Sequence, residues 1–396
     1  MPQEATVRSV SQAYRVIKQM RLQGWDAGEE CREAAREAVR AHLRRRMLEA
    51  RSQFLAELQT REQADRANGN YGRHLLTEMG TVLLQVPRTR SWSAASLLQA
   101  YRRRCASVDR AILGCFLLGL STRKVARALL PMLGERISAA TVSNISKSLD
   151  VAVAAFHRRR IRQSYRVLVF DGVVLARKTG AGAVRRPVLV ALGIRHDGCK
   201  EIIDFRQAHG ESTQAWEAFL NDLHRRGLSG EGLELICSDG GTGLRAALPL
   251  VYPQVPVQLC WAHKARNVLD KVRRAERPAV KRSLRAISHA GGLAEARSAA
   301  ARFVRRWENL YPRAVACLRE HLEDLLHFLA FSSDSWRTAS RTTNAIERRF
   351  REVRRRTRPM GVMANRCSVE RILYAVFTYE NLNAGTGTPL ALTHNS

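Results

Sequence analysis

The chain is short of acidic residues. Its 396 residues carry 36 Asp and Glu against 66 Lys and Arg, a formal net charge of +30. Lys is scarce as well, with eight of the basic residues being Lys and 58 being Arg. Solubility alone does not require such an imbalance. The planar guanidinium fork matches phosphate oxygens two at a time, so the bias points to a polyanionic partner, nucleic acid. Paired cysteines are also missing. The eight Cys stand singly with no Cys-x-x-Cys, which argues against a disulfide framework and for a reducing, cytoplasmic compartment. No long apolar run is evident: AILGCFLLGL (111–120), between Arg110 and Ser121, is about half the length that crosses a bilayer. The opening MPQEATVRSV lacks the apolar core of a signal peptide. A membrane role is therefore not expected. Hydrophobic residues make up 45% of the chain, enough for a folded core and two or three domains.

Residues 1–66 are rich in Ala, Leu, Glu and Arg with few breakers and read as helical. Residues 67–164 form a second region. NGN (68–70) and Met79-Gly80 are turn signals around the alternating TVLLQV, which predicts a hairpin ending in VPRTR. Further on, an apolar helix ends at Gly119, Ser121 opens TRKVARALL, and Ser138 opens AATVSNISKSLD. Serine caps helices well, so three short helices with tight turns are expected, the pattern of a helix-turn-helix. Its last helix would lay Thr141, Asn144 and Lys147 on one face toward DNA. An ordinary helical bundle has the same pattern.

From 165 the periodicity changes. YRVLVFDGVVLARK, RRPVLVALGIRH and CKEIIDFRQA are consecutive strand-like runs, followed by the helix STQAWEAFLNDLHRRG, the strand LELICSDG, a helix and the strand VPVQLCWAH. Three antiparallel strands followed by alternating helix and strand describe a mixed α/β sheet in the order of a ribonuclease-H-like fold. This part spans 165–265. Residues 266–340 then read as all-helical, 341–385 return to the sheet domain, and 386–396 form a loose tail.

Three carboxylates occupy unusual places. Asp171 follows the apolar run VLVF, Asp239 follows LELICS, and Glu347 starts TTNAIERRFREVRRRTRPMGV (342–362), in which seven Arg lie between Glu347 and Pro359. They stand far apart along the chain, so only the tertiary fold can gather them. Neighbouring first and fourth strands would set Asp171 beside Asp239, and a helix across that edge would add Glu347. Close carboxylates repel unless a cation neutralises them, and their hard oxygens select Mg²⁺ or Mn²⁺. Two such ions can assist phosphodiester attack. Each acid also has a plainer reading. Asp-Gly is common in turns, and Glu347 lies three residues after Asn344, the capping-box spacing. Asp204, Glu234 and Glu352 compete for the same role. Cys260 and His263 make a Cys-x-x-His pair, for which Cys317 and His321 are the only available zinc partners. The plainer alternative for His263 is a packed strand end.

The runs FDGVVLARK, CSDGGTGLRAALPLVYPQVPVQLCWAHKARNVLDKV and TTNAIERRFREVRRRTRPMGV resemble those of mutator-type transposases of bacterial insertion sequences. The resemblance covers roughly residues 60–380. It implies a DDE transposase, in which Asp171, Asp239 and Glu347 hold two Mg²⁺ (or Mn²⁺) in a ribonuclease-H-like domain interrupted by a helical insertion. The resemblance includes the Cys260–His263 pair, and His263 is read as lying near the active site, contacting the scissile phosphate or supporting Asp239. Trp307, between basic residues in that insertion, would be core by default; the resemblance makes it a candidate for stacking on a DNA base. Arg348, Arg349 and Arg351 are candidates for phosphate contacts, with the remaining arginines of that helix solvated. The expected partners are double-stranded DNA, at element ends and target, and further copies of the chain. The expected location is the cytoplasm, on the nucleoid when bound to DNA. The alternatives are an inactive or domesticated DNA-binding protein on the same fold, or a junction- or ribonuclease-type hydrolase, which gives no reason for the large N-terminal region.

Overall fold

The computed structural model describes residues 27–98, 103–134 and 136–386. They fall into two compact units. One holds the described residues of Met1–Phe116 and Thr122–Ile145, and the other Leu117–Ser121 with those of Ser146–Ser396. The tail after Thr386 and the part of the N-terminal helical region before Ala27 lie outside the described residues.

The first unit is built on a 34-residue helix, Ala27–Thr60. It packs on an antiparallel hairpin of β1 (Ala67–Thr77) and β2 (Gly80–Thr89). Leu75, Val82, Leu84 and Val86 alternate onto one face and bury against Met47, and Trp92 stacks on Phe54 at 5.1 Å. The chain reverses at Glu78-Met79, where Thr77 closes on Gly80. The NGN run forms no turn. It lies inside β1, where the register shifts between Ala67 and Asn70 and Gly69 takes a positive φ of 66°. Helices Ala106–Leu117, Thr122–Leu133 and Ala139–Ser146 follow. Ser138 caps the last of these, its Oγ accepting from Thr141 N at 3.0 Å.

The second unit centres on a five-stranded sheet, in order β5-β4-β3-β6-β7. β3 (Val167–Thr179), β4 (Gly182–Ile194) and β5 (Lys200–Gln207) are antiparallel neighbours. β6 (Leu235–Ser238) and β7 (Val257–Leu259) join β3 in parallel. On one face Leu168, Phe170, Leu189 and Ile203 bury against Trp216, Phe219, Leu220 and Leu223 of the Thr213–Arg225 helix and against Leu244 and Leu248 of the Thr242–Val251 helix. Helices Leu149–Arg158 and Arg366–Asn383 are bound to each other by a bidentate Arg371–Asp150 pair, both bonds 2.6 Å. The first of them therefore belongs with the sheet.

Between β7 and the Asn344–Thr357 helix, the described residues are helical or irregular throughout, as the strand-free sequence there suggests. Among the described residues no helix is long and apolar enough to cross a membrane.

Candidate active site

The sheet brings the two aspartates together. Phe170 of β3 pairs with Ser238, the last residue of β6, so Asp171 and Asp239 follow at the same level on adjacent strands. Asp171 does not sit in a turn. β3 runs on to Thr179, with Asp171 opposite Val190 and Gly172 opposite Leu189, so the Asp-Gly turn reading fails there. Asp239 does open a turn, its Oδ1 accepting from Gly241 N at 3.0 Å while Gly240 takes a φ of 90°. The turn also leaves the carboxylate at the strand end, where a site on a parallel pair forms.

Asp171 is 7% exposed. Burial, then the Asp239 charge, pushes its carboxyl up to about 7; Gly172 N–H and His263 oppose the rise, and Glu347 adds to it. Those influences place Asp171, Asp239, His263 and Glu347 in one neighbourhood. His263 lies in the first turn of the Trp261–Leu269 helix, its Nε2 3.6 Å from Glu347 Oε1. The nearby Cys260, with the Asp171 and Glu347 charges, lifts the imidazole to about 9 against the cost of burial.

Glu347 is not a capping-box residue. The helix starts at Asn344 with Thr343 as its cap, and the cap's N–H is already used: Thr343 N and Oγ1 both donate to Cys260 Sγ, at 3.3 Å each. Cys260 is itself tied to the end of β6, its N–H donating to Ser238 O at 2.8 Å. The buried thiol thus joins the end of the Asp239 strand to the start of the Glu347 helix. These contacts tie Cys260 to both elements. His321 is engaged by Arg245 at 2.7 Å.

The competing acids are committed elsewhere. Asp204 binds His157 and Arg226, Glu234 binds Arg166, and Glu352 binds Arg355 and Arg356. The same pairing buries Arg356 at 6% exposure, so it does not belong to a solvated face. Arg348 and Arg351 are exposed. Arg349 is not open as expected, because its guanidinium faces Glu380 at 3.4 Å and is largely covered. Trp307 is also corrected. It is 3% exposed and its Nε1 donates to Ser283 Oγ at 3.2 Å, so it is a core residue of the insertion. Asn144 and Lys147 are exposed, but Lys147 lies beyond the Ala139–Ser146 helix, and Thr141 is half-buried with its hydroxyl 3.0 Å from that of Ser138.

Sequence reasoning missed Glu211. It precedes the cap Ser212 of the Thr213–Arg225 helix, and burial together with the Asp239 charge raises its carboxyl above the usual range. Nothing in a lone Glu before a helix cap signals this.

The donor set suits a hard divalent cation, being all carboxylate oxygen with repulsion to relieve. Among the described residues no three His, Cys, Asp or Glu are gathered tightly enough to grip one metal ion as they stand. Without a cation, the Asp171 carboxylate is a stability cost above its unfolded pKa. Its folded pKa is raised, so stability present below about pH 4 is lost as the pH climbs through 7. Asp171→Asn is therefore expected to melt above the parent at pH 8 in chelator, by up to about 4 kcal/mol, and level with it near pH 4. A parent whose stability does not fall relative to the variant between these pH values would contradict the crowding.

Known proteins resemble this chain over most of its length. The chain is 32% identical over 311 residues to the transposase for insertion sequence element IS905 of Lactococcus lactis subsp. lactis (strain IL1403), covering 78% of each chain. It is 32% identical over 353 residues to that for ISRM5 of Rhizobium meliloti (strain 1021), 88% of each. It is 31% identical over 371 residues to that for IS406 of Burkholderia multivorans (strain ATCC 17616 / 249), 92% of each. The family model for the Mutator family of transposases matches residues 10–384. With nearly the whole chain matched, this protein belongs to the Mutator family of transposases.

Proposed function

We propose that the protein is the DNA transposase of a bacterial insertion sequence, with a DDE site of Asp171, Asp239 and Glu347 on a ribonuclease-H-like sheet. The observation that carries this is the buried, strand-borne Asp171 with Asp239 following at the same level on the adjacent strand. Other acids that could have filled the role are held in ion pairs. Asp171, Asp239 and Glu347 would hold Mg²⁺, two ions in the full complex, with Mn²⁺ able to replace it. Bound there, such ions supply Lewis acidity at the attacking and leaving oxygens of a phosphodiester.

The remaining work belongs to the chain. Asp171 and Asp239 are fixed by strand register, and Glu347 by the Thr343–Cys260 link. His263, 3.6 Å from Glu347, would steady a non-bridging phosphate oxygen. Arg348 and Arg351, on exposed positions of the Glu347 helix, would hold the DNA backbone across the site. The N-terminal unit, with the three short helices as a helix-turn-helix carrying Asn144, would recognise the element's terminal inverted repeats, with Lys147 following that helix. Two ends must be paired, so the working form would be a multimer on DNA, in the cytoplasm.

The test is a strand-transfer assay with end-labelled element termini, a target duplex and Mg²⁺. Nicked ends joined to target are expected. End binding without any nicking or joining under saturating Mg²⁺ and Mn²⁺ would instead favour a DNA-binding protein that has lost the reaction. A second measurement concerns the arginines. Arg348→Ala and Arg351→Ala should each reduce the slope of log affinity against log salt by about one, since a phosphate contact contributes about 0.9. Unchanged slopes would take both residues off the DNA.

A further inference from the structure

The strand that carries Asp171 does not end at the site. Its pairing with β6 stops at Phe170, yet β3 stays paired with β4 from Asp171, opposite Val190, to Thr179, opposite Gly182. β5 leaves β4 at Val188. Beyond that level β3 and β4 run on as a two-stranded ribbon. It closes in a turn where Gly182 takes a φ of 111° and Thr179 Oγ1 donates to Gly182 O at 2.9 Å. A ribbon of two strands is barely stable alone. This one is held in its outer half by the segment that follows the Glu347 helix: Met363 N–H donates to Ala176 O at 3.0 Å, and Lys178 N–H donates to Met363 O at 2.8 Å. One end of the ribbon is thus continuous with Asp171, and the other is tied to the chain that leaves the Glu347 helix.

Its charge has one sign. From Gly172 to Leu189 it carries Arg177, Lys178, Arg185 and Arg186 and no acid. Side chains alternate between faces along a strand, so Arg177 shares the face of Asp171, and Arg186, opposite Leu175, shares it too. Lys178 and Arg185 lie on the other face and are exposed, whereas Arg177 and Arg186 are half-buried. Among the described residues none of the four is paired with a carboxylate, and Arg177 and Arg186 each bury an Nε that has no hydrogen-bond partner. Arg186 gives Nη1 to His209 O at 3.2 Å. Charges carried only for solubility belong where Lys178 and Arg185 are. Two half-buried guanidiniums at diagonal positions of one face repel each other, and an anion between them relieves the repulsion.

We propose that the β3–β4 ribbon is a DNA-holding arm of the active site, on which Arg177 and Arg186 grip backbone phosphates of the duplex beside the scissile phosphate. This rests on the DNA-cleaving reading given above and gives its substrate a track along the sheet. Arg177 follows Asp171 by six residues, about 20 Å of strand, which is the rise of about six base pairs. A DNA groove admits a two-stranded ribbon, and the tip, Gly180-Ala181-Gly182-Ala183, is small and uncharged.

The experiment uses the full-length protein and an element-end duplex without divalent cation, so that cleavage does not intervene. The parent is compared with Arg177→Met/Arg186→Met, which keeps the apolar stems, and with Arg177→Lys/Arg186→Lys, which keeps both charges. Affinity is measured against salt, and hydroxyl-radical protection is mapped along the duplex, well below the melting transition of each protein. The Met pair should lower the slope of log affinity against log salt by about two, since each phosphate contact contributes about 0.9. Its lost protection should centre about six base pairs to one side of the scissile phosphate. The Lys pair should keep the parent's slope. A Met pair with the parent's slope overturns the inference, as does a Lys pair whose slope falls equally far, because shape rather than charge would then be at work. Protection lost evenly along the footprint also overturns it. In each case a parent that still nicks ends in Mg²⁺ leaves the DNA-cleaving reading standing; a parent that binds ends and never nicks them overturns that reading, whatever the slopes.

Discussion

Asp171→Ala, Asp239→Ala and Glu347→Ala are each expected to abolish cleavage and joining of element ends while end binding persists. Loss of one carboxylate removes charge compensation worth several kcal/mol at the reacting phosphate, so the rate should fall by about three orders of magnitude or more. Binding survives because it depends on other surfaces: the exposed arginines and the N-terminal unit. Glu347→Gln is the sharper variant. Gln keeps the size and hydrogen-bonding reach of Glu, so it would preserve any role in which the side chain merely receives the Thr343 hydroxyl, a contact of 3.5 Å. It cannot keep the charge, and a neutral amide is a poor ligand for Mg²⁺. End joining by Glu347→Gln at the parent's rate in high Mg²⁺ would remove Glu347 from the reaction. Glu352 could not take its place without first leaving Arg355 and Arg356.

How much of this could be read from the sequence follows from how local each cause is. Strand runs and their order are local signals, and they anticipated the adjacency of β3 and β6 that brings Asp171 to Asp239. The helical stretch after β7 was equally plain. The capping-box reading of Glu347 failed because the competing partner is remote in sequence: Cys260 takes the Thr343 N–H. Arg349 was assigned to DNA because nothing near it in sequence reveals Glu380. Asp171 read equally well as a turn residue until the continuation of β3 to Thr179 placed it within a strand.

Trp307→Ala is the other large effect, and it should appear in stability. The indole is 3% exposed in the Leu293–Trp307 helix, beside Tyr311 with ring centroids 6.0 Å apart, and its Nε1 donates to Ser283 Oγ on the Arg277–Ser288 helix. Truncation would leave a cavity of aromatic size and remove one hydrogen bond, at a cost of about 3–5 kcal/mol. For a unit of this size that is a fall of roughly 10 °C in its melting transition. Trp307→Phe keeps most of the volume and loses one hydrogen bond, about 1 kcal/mol, so its transition should move only a few degrees. Both variants should cleave element ends at near-parental rates when assayed well below their transitions. The basic neighbours Arg305 and Arg306 suggested a DNA-facing ring, but the Arg306 guanidinium lies 5.0 Å from the ring centroid and covers it. A base-stacking Trp would give the reverse pattern, with the melting temperature of Trp307→Ala unmoved and cleavage reduced by about 1–3 kcal/mol. Thermal melts and single-turnover cleavage on the same preparations separate the two, because packing and stacking place their losses on different axes.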